Sequence, residues 1–190
     1  WITSLIGTLA LIGTPFFSGF YSKDSIIEVV HFSHLPGAGF AYFAVLAGVF
    51  VTSFYSFRLY FLVFHGQERY DQNPDAHHDD HHGHDDHHGD GKPHETPWVV
   101  TVPLVLLAIP SVLIGFFTIE PMLFGTFLQD AITVNSAAHP ALAEFAKIFH
   151  GPVAMVSHAL HTPPLYLALA GAVVAWYMYL INPAVPAAIA

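Results

Sequence analysis

Apolar residues run almost without interruption through four stretches, Ile2 to Phe20, Ala38 to Phe64, Trp98 to Phe117 and Leu165 to Ile181. A bilayer core takes roughly 20 apolar residues in helical form. The pattern therefore predicts an all-α integral membrane protein with about four transmembrane helices. Divided at the polar breaks, residues 1–65 hold a first, interrupted membrane helix and the one after it, and 66–97 form a polar loop. Residues 98–118 form a third membrane helix, 119–163 an amphipathic connection, 164–182 a fourth membrane helix and 183–190 a tail. The second stretch exceeds the minimum length and carries Arg58 as its single charge, so it is expected to tilt or to project from the bilayer. Its end, "FYSFRLYFLVFHG", mixes rings with a cation that can snorkel, which makes Arg58 an interfacial anchor.

Small residues recur at four-residue spacing, Ala44 with Gly48, Ala168 with Ala172 and Gly171 with Ala175. Such stripes let membrane helices approach closely. Pro103 and Pro110 each remove a backbone donor from the third stretch and, seven residues apart, share a helix face. Between the third and fourth stretches, Ala141 to Phe149 suits a short amphipathic surface helix ended by Gly151 and Pro152. His158 and His161 read as interfacial histidines with no special role.

Composition agrees with a membrane setting. Of 190 residues 54% are hydrophobic and 10% charged, and the mean hydropathy is +0.51, against about 25% charged residues in a soluble domain. There is no cysteine, which excludes disulfides, thiolate metal sites, iron–sulfur ligation and cysteine nucleophiles. The formal charge of -9 is local: between Gly66 and Pro97 nine acids stand against Arg69 and Lys92. No basic surface for nucleic acid and no polybasic lipid anchor is present. Arg58 and Arg69 favour a cytoplasmic position for the loop between them and the third helix. The chain opens at Trp1 without a signal-peptide pattern, as expected for an internal piece of a longer polypeptide.

Candidate chemistry lies in two places. In "GTPFFSGFYSKDSIIE", Gly13, Pro15 and Gly19 weaken the helix, and Ser25 with Glu28 matches a capping box that would start a new one. A helix stopping near Phe17 and restarting near Ser25 would be a broken transmembrane helix, a device tolerated at membrane depth only inside protein or beside a wet cavity. Lys23 would then sit in mid-membrane, where a charge costs about 2.5 to 3.5 kcal/mol and proton exchange becomes easier. Asp24 is its neighbour but faces elsewhere on a helix, so it would cap the restarted half or pair with another group. The alternative is that the first helix ends at Phe20 and "YSKD" is an ordinary charged boundary; the apolar "SIIEVVHF" favours continuation. The second place is "DAHHDDHHGHDDHHGDGKPHE". Its imidazoles and carboxylates can hold divalent metals, but low complexity and glycines point to a disordered loop with loose metal affinity, so no metal site is assigned.

"ALIGTPFFSGFYSKDSIIE" resembles the discontinuous helix near the end of the antiporter-like core in the L subunits of bacterial respiratory complex I, equivalent to mitochondrial chain 5. "FVTSFYSFRLYFLVFHGQER" resembles the next helix of that family, and "HETPWVVTVPLVLLAIPSVLIGFF" the one beyond a variable, often His-rich loop. The resemblance is strong from Trp1 to about Phe117. It implies a fragment of a larger antiporter-like helix bundle, multi-pass in the bacterial inner membrane with the His-rich loop cytoplasmic. It also implies a share in proton translocation coupled to NADH:quinone electron transfer. Lys23 matches the family's lysine in the broken helix and Asp24 its acidic neighbour. Ser25, Glu28 and Arg58 are supporting candidates. No cofactor is expected in this chain, with NADH, flavin, iron–sulfur clusters and quinone in other subunits. The implied partners are other complex I membrane subunits, above all the neighbouring antiporter-like subunit, and the lipid bilayer. A monovalent cation/proton antiporter subunit is the nearest rival. A metal-ion transporter would need acidic or histidine ligands inside the spans, where only Asp24 and Glu28 qualify, and a purely structural subunit would tolerate the loss of Lys23.

Overall fold

The computed structural model describes residues 1–67, 96–128, 130–135 and 140–189. The His- and Asp-rich stretch, with Arg69 and Lys92, lies outside them. Every regular element among the described residues is helical. In chain order these are α1 (Ile2–Ile12), α2 (Ser18–His31), α3 (Ala38–Phe64), α4 (Trp98–Leu123), α5 (Ala141–Ile148), α6 (Pro152–Ala159), α7 (Pro163–Trp176), a wide π turn (Tyr177–Ile181) and α8 (Ala184–Ile189). Three helices, Ala38–Phe64, Trp98–Leu123 and Pro163–Ile181 with the π turn included, are long and apolar enough to cross a membrane.

The first apolar stretch is a broken pair. At ~1.5 Å per residue, α1 is about 16 Å long and α2 about 21 Å. Neither crosses a core of about 30 Å alone, and together they do. Local chemistry makes the break. Gly13 ends α1 in the left-handed region at φ 79°, where a glycine carries no Cβ penalty. Its N–H donates to Ala10 O at 3.2 Å and the Thr14 N–H to Leu9 O at 3.0 Å, the paired bonds of a Schellman ending. The Phe17 N–H then donates to Thr14 O at 3.1 Å, closing a turn around Pro15 and Phe16. Phe16 holds φ 74°, strained for a bulky residue.

The restart is earlier than the capping box suggests, and this corrects the sequence reading. Helix α2 begins at Ser18, so Ser25 and Glu28 stand inside it. The Ser25 hydroxyl donates to Tyr21 O at 2.7 Å, a bond back to the preceding turn instead of a cap. What starts α2 is tertiary. The Ser18 hydroxyl donates to Ser111 O of α4 at 2.9 Å, and Gly19 passes so close to α1 that a Cβ there would meet Ala10 O at 1.9 Å.

Around this break the helices assemble in two contacts. Helix α7 lies along α3, where Ala168, Gly171 and Ala175 are buried and a Cβ on Gly171 would strike Phe50 O at 2.5 Å. The buried Ser53 hydroxyl donates across this seam to Ala168 O. The small residues of α7 are thus spent on close approach, whereas Ala44 and Gly48 of α3 are exposed within the described chain. The second contact gathers Phe20 and Tyr21 of α2, Ile119 of α4, Phe145 of α5 and Met155, Val156 and Ala159 of α6 into one buried cluster. It anchors both short helices to the second half of the broken pair. Helix α4 continues through Pro103, Pro110 and Pro121 as far as Leu123, beyond the limit of Phe117 that its hydropathy suggests.

Chain direction follows from ring contacts. Trp1 packs on Tyr60 and His31 on Tyr42, so the broken pair runs antiparallel to α3. The end where α3 finishes is therefore opposite the end where α2 finishes, beside α5.

Candidate functional site

Helix α2 turns four polar side chains in different directions, and the break decides where each points. Lys23 lies across the turn: its Cδ would be 3.4 Å from a Cβ placed on Gly13. The half-buried lysine thus rests on Gly13, the glycine that ends α1. It lines a small cavity of about 30 Å³ together with Ile12, Gly13, Asp24 and Thr162. A second cavity, of about 180 Å³, opens from Lys23 toward Val45, Gly48 and Thr52 of α3. Among the described residues no carboxylate lies within ion-pair distance of its Nζ.

Asp24 is 4% exposed, and its Oδ2 is buried with no hydrogen-bond partner among the described residues. Buried carboxylate oxygens are rarely left so, and an exception calls for a functional explanation. Among the described residues Asp24 neither caps α2 nor pairs with another group, the two roles open to it from sequence. Instead it borders two spaces, the small cavity it shares with Lys23 and one of about 210 Å³ that it shares with Glu28, His150 and His158. Glu28 follows four residues on, over the same face of the helix. Its side chain is 12% exposed, and Oε1 lies 3.7 Å from His158 Nδ1 of α6.

The other two candidates stand apart. Ser25 is buried and faces a large apolar groove between α2 and α4, away from Lys23. Arg58 is exposed on α3 with its guanidinium 5.6 Å from the Tyr179 ring centroid, a cation–π contact consistent with an anchoring role. The sequence reading left His158 and His161 without a role. His158 now meets Glu28, while the His161 Nδ1–H donates to Ser157 O at 3.1 Å. No local motif could have found the Glu28–His158 meeting, because it depends on α6 docking on Phe20 and Tyr21. Among the described residues no group of three or more metal-ligating side chains converges.

Taken together, Lys23, Asp24, Glu28 and His158 border two cavities that have Asp24 in common, in a bundle whose outer surfaces are apolar. Such an arrangement can pass protons stepwise, since each group exchanges a proton and cavities of this size hold water.

No family model matches the sequence. Over its whole length the chain is 62% identical, across 194 aligned residues, to the NADH-quinone oxidoreductase subunit L of Neisseria meningitidis serogroup A, and it covers 28% of that relative. It is 39% identical over 146 residues to the subunit L of Rhodobacter capsulatus, matching 71% of this chain and 18% of the relative. The NAD(P)H-quinone oxidoreductase chain 5 of Picosynechococcus is 45% identical over 123 residues, matching 60% of the chain and 17% of that protein. The chain thus spans between 17% and 28% of the length of these relatives.

Proposed function

This chain belongs to the subunit L and chain 5 family of NADH-quinone oxidoreductases, and we propose that Lys23 and Asp24 form a proton-relay site within it. The single observation that carries the proposal is the position of Asp24, buried, without a partner on Oδ2 among the described residues and bordering both cavities. A proton held on Lys23 Nζ finds the Asp24 carboxylate on the wall of the same small cavity. Asp24 in turn shares the next cavity with Glu28. Transfer from ammonium to carboxylate leaves a neutral amine and a neutral acid, so neither product holds a charge in the apolar interior.

The cycle is driven from outside this segment. Charge or conformational changes elsewhere in the complex favour or disfavour the ammonium form of Lys23, which loads from neighbouring water and releases along α2. NADH oxidation, flavin, iron–sulfur and quinone chemistry belong to other subunits in this reading. The neighbouring antiporter-like subunit is the principal membrane partner in this reading. With the polar loop after α3 on the cytoplasmic side, as Arg58 and Arg69 favour, the end of α2 faces outward and Glu28 lies on the outlet. The membrane is then the bacterial inner membrane.

The test is Asp24→Asn in the complete complex in inside-out vesicles. The amide keeps the shape of the side chain and cannot carry a proton. Proton uptake per electron is expected to fall sharply, since a positioned acid–base group contributes about 10²–10⁴ in rate, while the complex still assembles. Uptake equal to that of the unmodified complex would reject the relay.

A further inference from the structure

We infer that His158, on α6, is the surface terminus of the relay, taking protons from Glu28 and handing them to water; this rests on the relay reading above. Burial first sets the direction. Along the line the side chains go from a 4% exposed Asp24 to a 12% exposed Glu28 and then a 53% exposed His158. The imidazole is the first of them that the described residues leave largely uncovered.

Placement is fixed by the packing of α6. Gly151, at φ 99°, and Pro152 start the helix, and Met155, Val156 and Ala159 are buried against Phe20 and Tyr21 of α2. Those anchors leave His158 on the side that borders the cavity of about 210 Å³ with Asp24 and Glu28. The cavity has room for several waters by the usual volume per molecule, enough to bridge the 3.7 Å between Nδ1 and Oε1.

The titratable groups on that cavity are Asp24, Glu28, His150 and His158. On α5, Lys147 is paired with Glu144 at 2.8 Å, and neither borders the cavity. His150 is held differently from His158. Its Nδ1–H donates to Ile148 O at 2.8 Å, because a carbonyl oxygen can only accept. His158 Nδ1 instead faces a carboxylate. An imidazole changes protonation near neutral pH and has two nitrogens on opposite edges. The neutral ring accepts the proton of the Glu28 carboxyl at Nδ1, giving carboxylate and imidazolium. It then loses the Nε2 proton to water and returns to its starting tautomer by a second exchange with solvent.

The experiment uses the complete complex in inside-out vesicles, with His158→Ala, His158→Gln and imidazole added to the buffer. Coupled proton uptake is expected to fall sharply in both variants, since a positioned acid–base group contributes about 10²–10⁴ in rate. Imidazole should restore most of it in His158→Ala, where there is space for the ring, and little in His158→Gln. Unchanged uptake in both variants would overturn the inference, and so would a loss in His158→Ala that imidazole leaves unrestored. If Asp24→Asn lowers uptake and the His158 variants do not, only the terminus falls; if Asp24→Asn is also silent, the relay itself falls.

Discussion

Replacing Lys23 by Ala is expected to lower NADH-driven proton uptake by the complete complex sharply, since a positioned proton-transfer group contributes about 10²–10⁴ in rate, with the assembled complex still present in the membrane. The expectation rests on where the side chain lies. Its stem crosses Gly13 at the break, and it borders cavities on both sides, one toward α3 and one shared with Asp24. Among the described residues it has no carboxylate within ion-pair distance, so its removal breaks no ion pair there. A truncation to Ala enlarges a space that is already hollow, and the structural cost should be small. Proton uptake in sealed vesicles, recorded together with quinone reduction, separates the two effects: a stability defect lowers the amount of complex, whereas loss of the relay lowers uptake per electron.

Gly19→Ala is expected to act in the opposite way, on assembly. A single Cβ at this position would lie 1.9 Å from Ala10 O, closer than any real contact and against backbone that cannot rotate away. The end of α1 and the start of α2 would have to separate, which also pulls Ser18 from Ser111 O. Overpacking costs about 1–3 kcal/mol and occasionally more, and here both halves of the broken pair move. Native-gel quantification of the assembled complex should show a severe loss. Ser18→Ala, which gives up one hydrogen bond worth about 1 kcal/mol, should leave most of the complex intact. Equal accumulation of Gly19→Ala and the unmodified complex would mean that α1 and α2 do not approach as closely as the structure has them.

Much of this arrangement is legible in the sequence, and the failures have a common cause. Gly13 and Pro15 mark the break because glycine in the left-handed region and proline in a turn act through their own backbone. Gly19 is misread as a further breaker. It lies inside a helix, and its small size serves a neighbour that lies across the break. The Ser25 and Glu28 pair is misleading for a related reason. The i, i+3 spacing of a capping box is also the spacing of two neighbours on one turn of a running helix, and only the Ser18 bond to Ser111 decides between them. Helix α4 overruns its hydropathic limit because Glu120 and Pro121 break the apolar run without breaking the backbone ladder.

The site follows the same division. Lys23 and Asp24 stand out because a lysine and an aspartate among aromatics in an apolar run are costly wherever they lie. Arg58 reads as an interfacial anchor because its side chain is long and its surroundings are rings, and it stacks on Tyr179. His158 carries no such mark. Its meeting with Glu28 arises from the packing of Met155, Val156 and Ala159 on α2, a long-range contact with no periodic signature.

The shared action of Lys23 and Asp24 is tested most directly by a double-mutant cycle in the complete complex, with proton uptake per electron measured for Lys23→Ala, Asp24→Asn and the pair. Two links of one relay lose their function together, so the pair is expected to retain as much uptake as the worse single variant, a strongly non-additive result. Losses that multiply in the pair would contradict a common path, as would full uptake in either single variant.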